Sequence, residues 1–266
     1  MRGSDNPMYE QQMMEIVKKA GQLMTSHDDE LQVTAKGRAN FVTQMDVAVQ
    51  EYLRKELAKI NPDIILLAEE QDNGQVDTAK AYWILDPIDG TQNYIRHMGL
   101  SAIGLAYYAD GDLQTGIVYN PFTKELFHAV RGKGAFLNGR PIHVTATEAL
   151  ADSLIAIGTS PYDRQYTDSN FVLFKDVFQS CLDIRRCGSA CLDLACVAAG
   201  RMDVYFERNL KPWDMAAGIL LVQEAGGIVT DYQGNPPSII KNGDIVAGNG
   251  AVHKELLARI SQQLGA

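Results

Sequence analysis

The sequence contains no run of roughly 20 consecutive apolar residues, which excludes an ordinary membrane-spanning helix. It also lacks the basic, apolar and small-residue order of a secretory leader, so a cytoplasmic location is expected. Lys and Arg form no block, and a net charge of −9 argues against nucleic acid as a partner. The four cysteines, Cys181, Cys187, Cys191 and Cys196, show no paired C-x-x-C spacing. The five histidines (His27, His97, His128, His143, His253) are scattered. A zinc centre is therefore not expected, and the thiols read as reduced and mostly buried.

What remains is the composition of an ordinary globular protein, 46% hydrophobic and 21% charged over 266 residues. That length holds an extensive core. Met1–Ser4 reads as a vector remnant, leaving residues 5–266 as one domain. Its N-terminal half, about 5–147, and its C-terminal half, about 148–266, carry different patterns.

Two amphipathic helices come first. Met13, Ile16, Val17, Ala20, Leu23 and Met24 recur at helical spacing, as do Met45, Val49, Tyr52, Leu53, Leu57 and Ile60. Thr43 followed by Asp46 predicts a capping box at the second helix start. Short strands are predicted over Ile64–Ala68 and Tyr82–Leu85, ending in Glu69 and Asp86, then over Ser101–Tyr108, Gln114–Tyr119, Glu125–Val130, Ala135–Leu137 and Ile142–Val144. Asp110-Gly111 and Asn138-Gly139 suit tight hairpins, so this half reads as an antiparallel meander. The second half alternates strands (Ser153–Ile157, Asp183–Arg186, Asp203–Phe206, Ile228–Asp231, Ile245–Ala247) with helices (Asp168–Ser180, Ala190–Ala199, Pro212–Ala225, Val252–Leu264). Together they predict an α+β protein of alternating helix and sheet layers.

The most informative run is Trp83-Ile84-Leu85-Asp86-Pro87-Ile88-Asp89-Gly90-Thr91-Gln92-Asn93-Tyr94. An apolar strand delivers Asp86, Pro87 stops the ladder for want of an N–H, and a turn brings Asp89 close. Two neighbouring carboxylates repel unless something positive lies between them, and a hard, oxygen-seeking Mg²⁺ is the simplest candidate. Gly90-Thr91 then offers backbone N–H groups at a helix start, a natural seat for phosphate. Taken alone, the same run also reads as an acid-rich surface turn. A second element, Pro212-Trp213-Asp214-Met215-Ala216-Ala217-Gly218, opens a helix that is apolar around most of its circumference and should be buried. Asp214 lies in its first turn, where the dipole favours an anion. Tight packing implied by Trp213, Ala216, Ala217 and Gly218 makes an unpaired carboxylate there costly, so a metal or cationic partner is the better reading.

These two runs resemble the signature motifs of the inositol monophosphatase family, in that family's order. The resemblance extends through Asn40–Asp46, Glu69-Glu70, the run from Lys133 to Gly139 and Gly188–Ala190, covering nearly the whole chain. It implies a layered α-β-α-β-α sandwich and two or three Mg²⁺ ions, held by Glu69, Asp86, the carbonyl of Ile88, Asp89 and Asp214. The catalytic residues would be Glu69 with Thr91 and Asp46, which orient the attacking water; Asp46 also reads as the partner of the Thr43 capping box. Phosphate would meet Asp89, Gly90 and Thr91, while substrate hydroxyls would meet Gly188, Ser189, Ala190 and Glu207. Glu207 equally reads as a surface acid at a strand end, and Glu70 as a neighbour rather than a ligand.

The implied activity is Mg²⁺-dependent hydrolysis of a phosphate monoester, myo-inositol monophosphate first, by direct in-line attack of water without a phosphoenzyme. An acidic protein can act on an anionic phosphate because clustered carboxylates recruit cations that reverse the local sign. Relatives acting on fructose 1,6-bisphosphate, NADP, histidinol phosphate or a 3′-phosphoadenosine nucleotide are alternatives, as is a regulatory binding protein of the same fold. The resemblance also implies lithium sensitivity and a homodimer, with a small phosphorylated molecule as the partner and no membrane. Ala68 stands where the family usually has glycine, and Gln92 replaces the commoner threonine.

Overall fold

The computed structural model describes residues 6–26, 31–37 and 40–264. Met1–Ser4, the supposed vector remnant, and His27 lie outside the described residues. Helix α1 (Asn6–Thr25) is followed by a hairpin of β1 (Val33–Gly37) and β2 (Asn40–Thr43), then by α2 (Gln44–Ile60). The hairpin was not expected: its β1 strand is exposed throughout, so no apolar alternation marks it. Thr43 does form the capping box with Asp46.

β3 (Ile65–Ala68) pairs in parallel with β4 (Tyr82–Asp89), and the short helix α3 (Thr91–Ile95) follows. β5 (Ala102–Ala109), β6 (Asp112–Asn120), β7 (Glu125–Val130), β8 (Gly134–Leu137) and β9 (Arg140–Ile142) then continue the sheet in chain order, each antiparallel to the last. At both predicted hairpins the turn residues have positive φ, Asp110 with Gly111 and Asn138 with Gly139. A primed turn demands such angles, and Asn, Asp and Gly tolerate them best. The last strand lies two residues earlier than its pattern suggested, at Arg140–Ile142 rather than Ile142–Val144, because the two-residue turn sets the register.

β10 (Leu154–Ile157), α4 (Thr167–Phe178), β11 (Asp183–Arg185), α5 (Ala190–Ala198), β12 (Val204–Leu210), α6 (Pro212–Glu224), β13 (Ile228–Thr230), β14 (Gly243–Gly248) and α7 (Gly250–Leu264) complete the chain. The five strands form a mixed sheet in the order β11-β10-β12-β14-β13.

Strand periodicity assigns the layers. Trp83, Leu85, Ile103, Leu105 and Ile117 pack against Val17, Val49 and Leu53 of α1 and α2. Their neighbours Ile84, Ala102 and Val118 face the opposite way, onto Leu194 of α5 and Met215 to Val222 of α6. Tyr205, Ile245 and Ala247 of the second sheet join that middle core, while Val204, Phe206 and Val246 face α4 and α7. The order is therefore helix, sheet, helix, sheet, helix. Each fully buried Leu or Ile contributes about 1.5–3 kcal/mol of transfer free energy, so three such cores fix the layers firmly. Small residues on α6 and on the strand facing it are needed for approach: a Cβ on Gly218 of α6 would stand 2.4 Å from Leu194 Cβ, and one on Gly116 of β6 would stand 2.7 Å from the Ala217 carbonyl oxygen.

Among the described residues no helix is long and apolar enough to cross a membrane. The four thiols are free, but only Cys191 is fully buried; the other three are partly exposed, which corrects the expectation that most would be inside.

Candidate active site

Three elements deliver four carboxylates to one place. β3 and β4 run in parallel, so Glu69, just past β3, lies beside the end of β4; its N–H donates to the Leu85 carbonyl at 3.3 Å. β4 carries both Asp86 and Asp89. The ladder does not stop at Asp86, as Pro87 suggested. It slips at that point and resumes, pairing Asp89 with Ala102. Proline is tolerated at such a bulge, and the slip keeps both acids on the strand. Asp86 shares the face of Ile84, beneath α5, and Asp214 enters from the first turn of α6.

These four acids line a cavity of about 210 Å³ together with Ile88, Gly90 and Thr91. Gly90, at φ 86°, turns the chain into α3, whose first amides have no partner within the helix. A Cβ on Gly90 would stand 2.9 Å from the Leu100 carbonyl oxygen, so glycine is required there twice over.

The cluster is electrostatically frustrated. Burial pushes the Asp86 carboxyl well above the usual range, and the charges of Glu69, Asp89 and Asp214 push it further. Burial also raises Asp214 well above its usual range, the charges of Asp89 and Glu69 add to it, and the Lys211 amide opposes it. Glu69 is pushed up to about 7 by burial, with Lys36 pulling it down and Glu70, Asp46 and Asp89 pushing it up. Asp89 rises to about 6 through burial, although Ser189 and Cys191 donate to it.

Among the described residues no three His, Cys, Asp or Glu side chains are drawn closely enough together to hold one metal ion as they stand. Three of the four acids are tied to the protein by hydrogen bonds. Asp89 Oδ2 accepts from Ser189 Oγ (2.5 Å) and Cys191 N (2.6 Å), Asp214 Oδ2 accepts from Lys211 N (2.8 Å), and Asp86 Oδ1 accepts from Ile88 N (3.0 Å). One oxygen of each is anchored on the protein. The donor chemistry still fits a hard divalent cation, since every candidate ligand is oxygen and the acids lack enough positive charge among themselves. Glu69, Asp86, Asp89 and Asp214, with the Ile88 carbonyl, are the residues that could hold such ions.

Asp46 fits both of its expected roles at once. Its Oδ2 accepts from Thr43 N (2.7 Å) and Thr43 Oγ1 (2.5 Å), while its Oδ1 accepts from Thr91 Oγ1 at 3.1 Å. Burial raises its pKa, opposed by the donors on Thr43 and Thr91.

Gly188, Ser189, Ala190 and Glu207 line a second, adjoining cavity of about 70 Å³. Glu207 is no surface acid at a strand end. It lies within β12 with only 8% of its surface exposed, its oxygens accepting from Ser160 N (2.7 Å) and Tyr205 OH (2.5 Å). Gly158 makes room for it: a Cβ there would come within 1.8 Å of Glu207. Glu70 is a neighbour, ion-paired with Lys36 and tied by its backbone to the side-chain amide of Gln50.

The sequence reading missed three residues of the first cavity, Lys36, Tyr162 and Lys211, and took Trp213, which also lines it, for packing alone. Lys36 lies in the unexpected hairpin, with Nζ 3.5 Å from Glu69. Burial and the charges of Glu69, Asp214, Asp89 and Asp86 hold the Tyr162 hydroxyl above its usual range. Trp213 and Lys211 adjoin a residue already singled out, and adjacency to Asp214 was the available signal.

With this geometry established, likeness to known proteins is informative. The family model of the inositol monophosphatase family matches residues 6–266. An inositol-1-monophosphatase of Mesorhizobium japonicum is 37% identical over 257 residues, 96% of each chain. Nus factor SuhB of Escherichia coli K12 is 38% identical over 250 residues, 93% of each. In structure, the extragenic suppressor protein suhB of Bartonella henselae superposes with a TM-score of 0.89 at 37% identity, covering 95% of this chain and 98% of that one. An IMPase/NADP phosphatase complexed with Mg²⁺ and phosphate superposes with a TM-score of 0.87 at 26% identity, covering 96% of each.

Proposed function

The chain belongs to the inositol monophosphatase family, and from that premise we propose that it hydrolyses a phosphate monoester, myo-inositol monophosphate foremost, with Mg²⁺. The reaction class, phosphoric monoester hydrolysis, follows from the family. The observation that carries the finer reading is the meeting of four mutually repelling carboxylates beside the Gly90–Thr91 helix start. Glu69, Asp86, Asp89, Asp214 and the Ile88 carbonyl hold two or three Mg²⁺ ions in this reading. Such ions supply Lewis-acid charge against the phosphate and lower the pKa of water. The similar structure complexed with Mg²⁺ and phosphate supports it.

The chain's own groups do the rest. The amides of Gly90 and Thr91 seat the phosphate. Thr91 Oγ1 accepts a proton from the attacking water as it passes its own to Asp46 Oδ1, 3.1 Å away. Asp46 is suited to take it, since burial raises its pKa. Water attacks phosphorus in line with the departing alcohol, and no covalent phosphoenzyme forms. Gly188, Ser189, Ala190 and Glu207 wall the side on which the alcohol leaves. Residues 5–266 form one domain in this reading, supported by α5 and α6 packing on both sheets. A homodimer belongs to it too, with light scattering as its test.

Phosphate release with Mg²⁺ across inositol monophosphate, fructose 1,6-bisphosphate, NADP, histidinol phosphate and a 3′-phosphoadenosine nucleotide tests the assignment. No release from any of them, or release undiminished by a chelator, overturns it. A regulatory binding role is the second reading, favoured by the 38% identity to a relative named a Nus factor. Stoichiometric capture of a protein partner, unaffected by Asp214→Asn, is its test.

A further inference from the structure

The two cavities meet along a seam of three side chains, Asp89, Tyr162 and Asp214, which line both. A substrate with its phosphate at the Gly90–Thr91 helix start and its alcohol in the second cavity must carry its bridging ester oxygen across that seam. Asp89 and Asp214 are acids, and an ionised carboxylate can only accept hydrogen bonds. Tyr162 is the one side chain of the seam with a proton to donate.

Nothing in the fold uses that donor. Among the described residues the Tyr162 hydroxyl makes no hydrogen bond and its ring stacks on no other ring. Its backbone fixes it instead. Asp163 N donates to the Ser160 carbonyl at 2.9 Å, closing a β-turn with Pro161 and Tyr162 at the central positions, and proline presets the first of them. Three hydrogen bonds tie this turn to β12: Ser160 N to Glu207 Oε1 (2.7 Å), Ser160 Oγ to the Arg208 carbonyl (2.8 Å) and Asn209 Nδ2 to Asp163 Oδ2 (3.1 Å). Although 61% of Tyr162 is exposed, its hydroxyl end turns inward, since burial and the charges of Glu69, Asp214, Asp89 and Asp86 all bear on it. A phenol held over the site by a tied turn, with no acceptor of its own, is preorganised for one that a ligand brings.

We infer that Tyr162 is a further catalytic residue, its hydroxyl donating a hydrogen bond to the ester oxygen that bridges phosphorus and the alcohol. As the water oxygen bonds to phosphorus, the bond from phosphorus to the ester oxygen breaks and its electron pair stays on that oxygen. The hydrogen bond from Tyr162 strengthens as this charge grows. The attacking water's proton leaves through Thr91 to Asp46. Solvent supplies the proton that completes the alcohol and later recovers one from Asp46, so Tyr162 ends as it began. The inference rests on the phosphomonoesterase reading given above.

The dependence of rate on the leaving alcohol tests it. Single-turnover phosphate release by the full-length protein with Mg²⁺ is measured on myo-inositol 1-phosphate, glycerol 2-phosphate, 2,2,2-trifluoroethyl phosphate and 4-nitrophenyl phosphate, whose alcohols run from weakly to strongly acidic. A less acidic alcohol leaves with more charge on its oxygen and gains more from the donor. Tyr162→Phe keeps the ring and should melt with the parent, since the hydroxyl holds no part of the fold. On the two polyol esters its rate should fall about tenfold to hundredfold, the worth of one hydrogen bond to a charged oxygen. The loss should shrink towards the nitrophenyl ester, so the rate depends more steeply on alcohol acidity than in the parent. Tyr162→Leu, which removes the ring as well, should be no steeper. An equal loss on polyol and nitrophenyl esters, no loss on any, or a steepening confined to the Leu variant overturns the inference while leaving the phosphatase reading standing. A parent protein that releases phosphate from none of the four overturns that underlying reading instead, a separate and recognisable result.

Discussion

Asp86 and Glu207 are both buried acids on central strands, yet their surroundings answer the charge differently. Glu207 receives Ser160 N and Tyr205 OH, and only burial raises its pKa, with Arg186 drawing it down. Asp86 receives a single amide, and the charges of four other acids push its pKa upward. Burial alone therefore does not identify a metal site. An acid served by fixed donors stabilises a fold, whereas a set of acids repelling one another stabilises it only when an external cation arrives.

The largest expected effect separates these two kinds of acid. Asp214→Asn or Asp89→Asn should lower turnover by roughly 10²–10³-fold, the scale lost with one preorganised electrostatic group. In chelator, the same variants should melt no lower than the parent, because one repelling charge has gone. Near-normal phosphate release by either variant would remove the ground for treating the cluster as catalytic.

Next in size is the response to metal. Saturating Mg²⁺, at about a hundredfold over its Kd, should stabilise the protein by about 2.7 kcal/mol. That corresponds to a rise in Tm of roughly 5–10 °C for a chain of this size. Asp214→Asn should reduce the rise sharply. Without metal, pH should act in a definite direction. Folding raises Glu69 to about 7 and Asp89 to about 6, above their ordinary values of 4.5 and 3.8. The folded state then binds more protons than the unfolded state between about pH 4 and pH 7, so stability should fall as pH rises through that window. Mg²⁺ should flatten the fall. Denaturant titrations across that range with chelator and with Mg²⁺ measure both, and identical curves would contradict the frustration described for the cluster.

Glu207→Gln should show the opposite balance. An amide accepts through one oxygen only, so either Ser160 N or Tyr205 OH loses its partner, costing about 1–3 kcal/mol. Stability should fall, while the Mg²⁺-induced rise in Tm should persist. Loss of that rise with the fold intact would place Glu207 among the cation-binding acids.

The difference between these regions also explains what was legible in the sequence. Asp86, Asp89 and Asp214 sit in contiguous runs whose apolar neighbours, proline and glycines announce a strand end and a helix start. The layered fold was readable for the same reason: period-2 and period-3.6 patterns are long wherever both faces of an element are used. The β1–β2 hairpin was not readable, because an exposed strand carries no alternation, and with it Lys36 went unseen. Glu207 was ambiguous because its burial depends on residues far away in sequence, Ser160 and Gly158, which local pattern does not bring together.

The smallest expected effect resolves the double role of Asp46. Thr43 and Thr91 both donate hydroxyl hydrogen bonds to it, one from the helix cap and one from the site. Thr43→Ala removes the cap and should cost about 1 kcal/mol of stability. Turnover should fall only modestly, since Thr91 still donates to Asp46 Oδ1. Thr91→Ala takes one hydroxyl donor from the buried Asp46 and should cost a similar amount, about 1 kcal/mol. Its turnover should fall by about 10²-fold or more, the scale of a lost proton acceptor. If Thr43→Ala instead matches Thr91→Ala in turnover at equal stability, the cap and the proton relay are one unit. Asp46 would then be held for catalysis by the helix start itself rather than shared between two tasks.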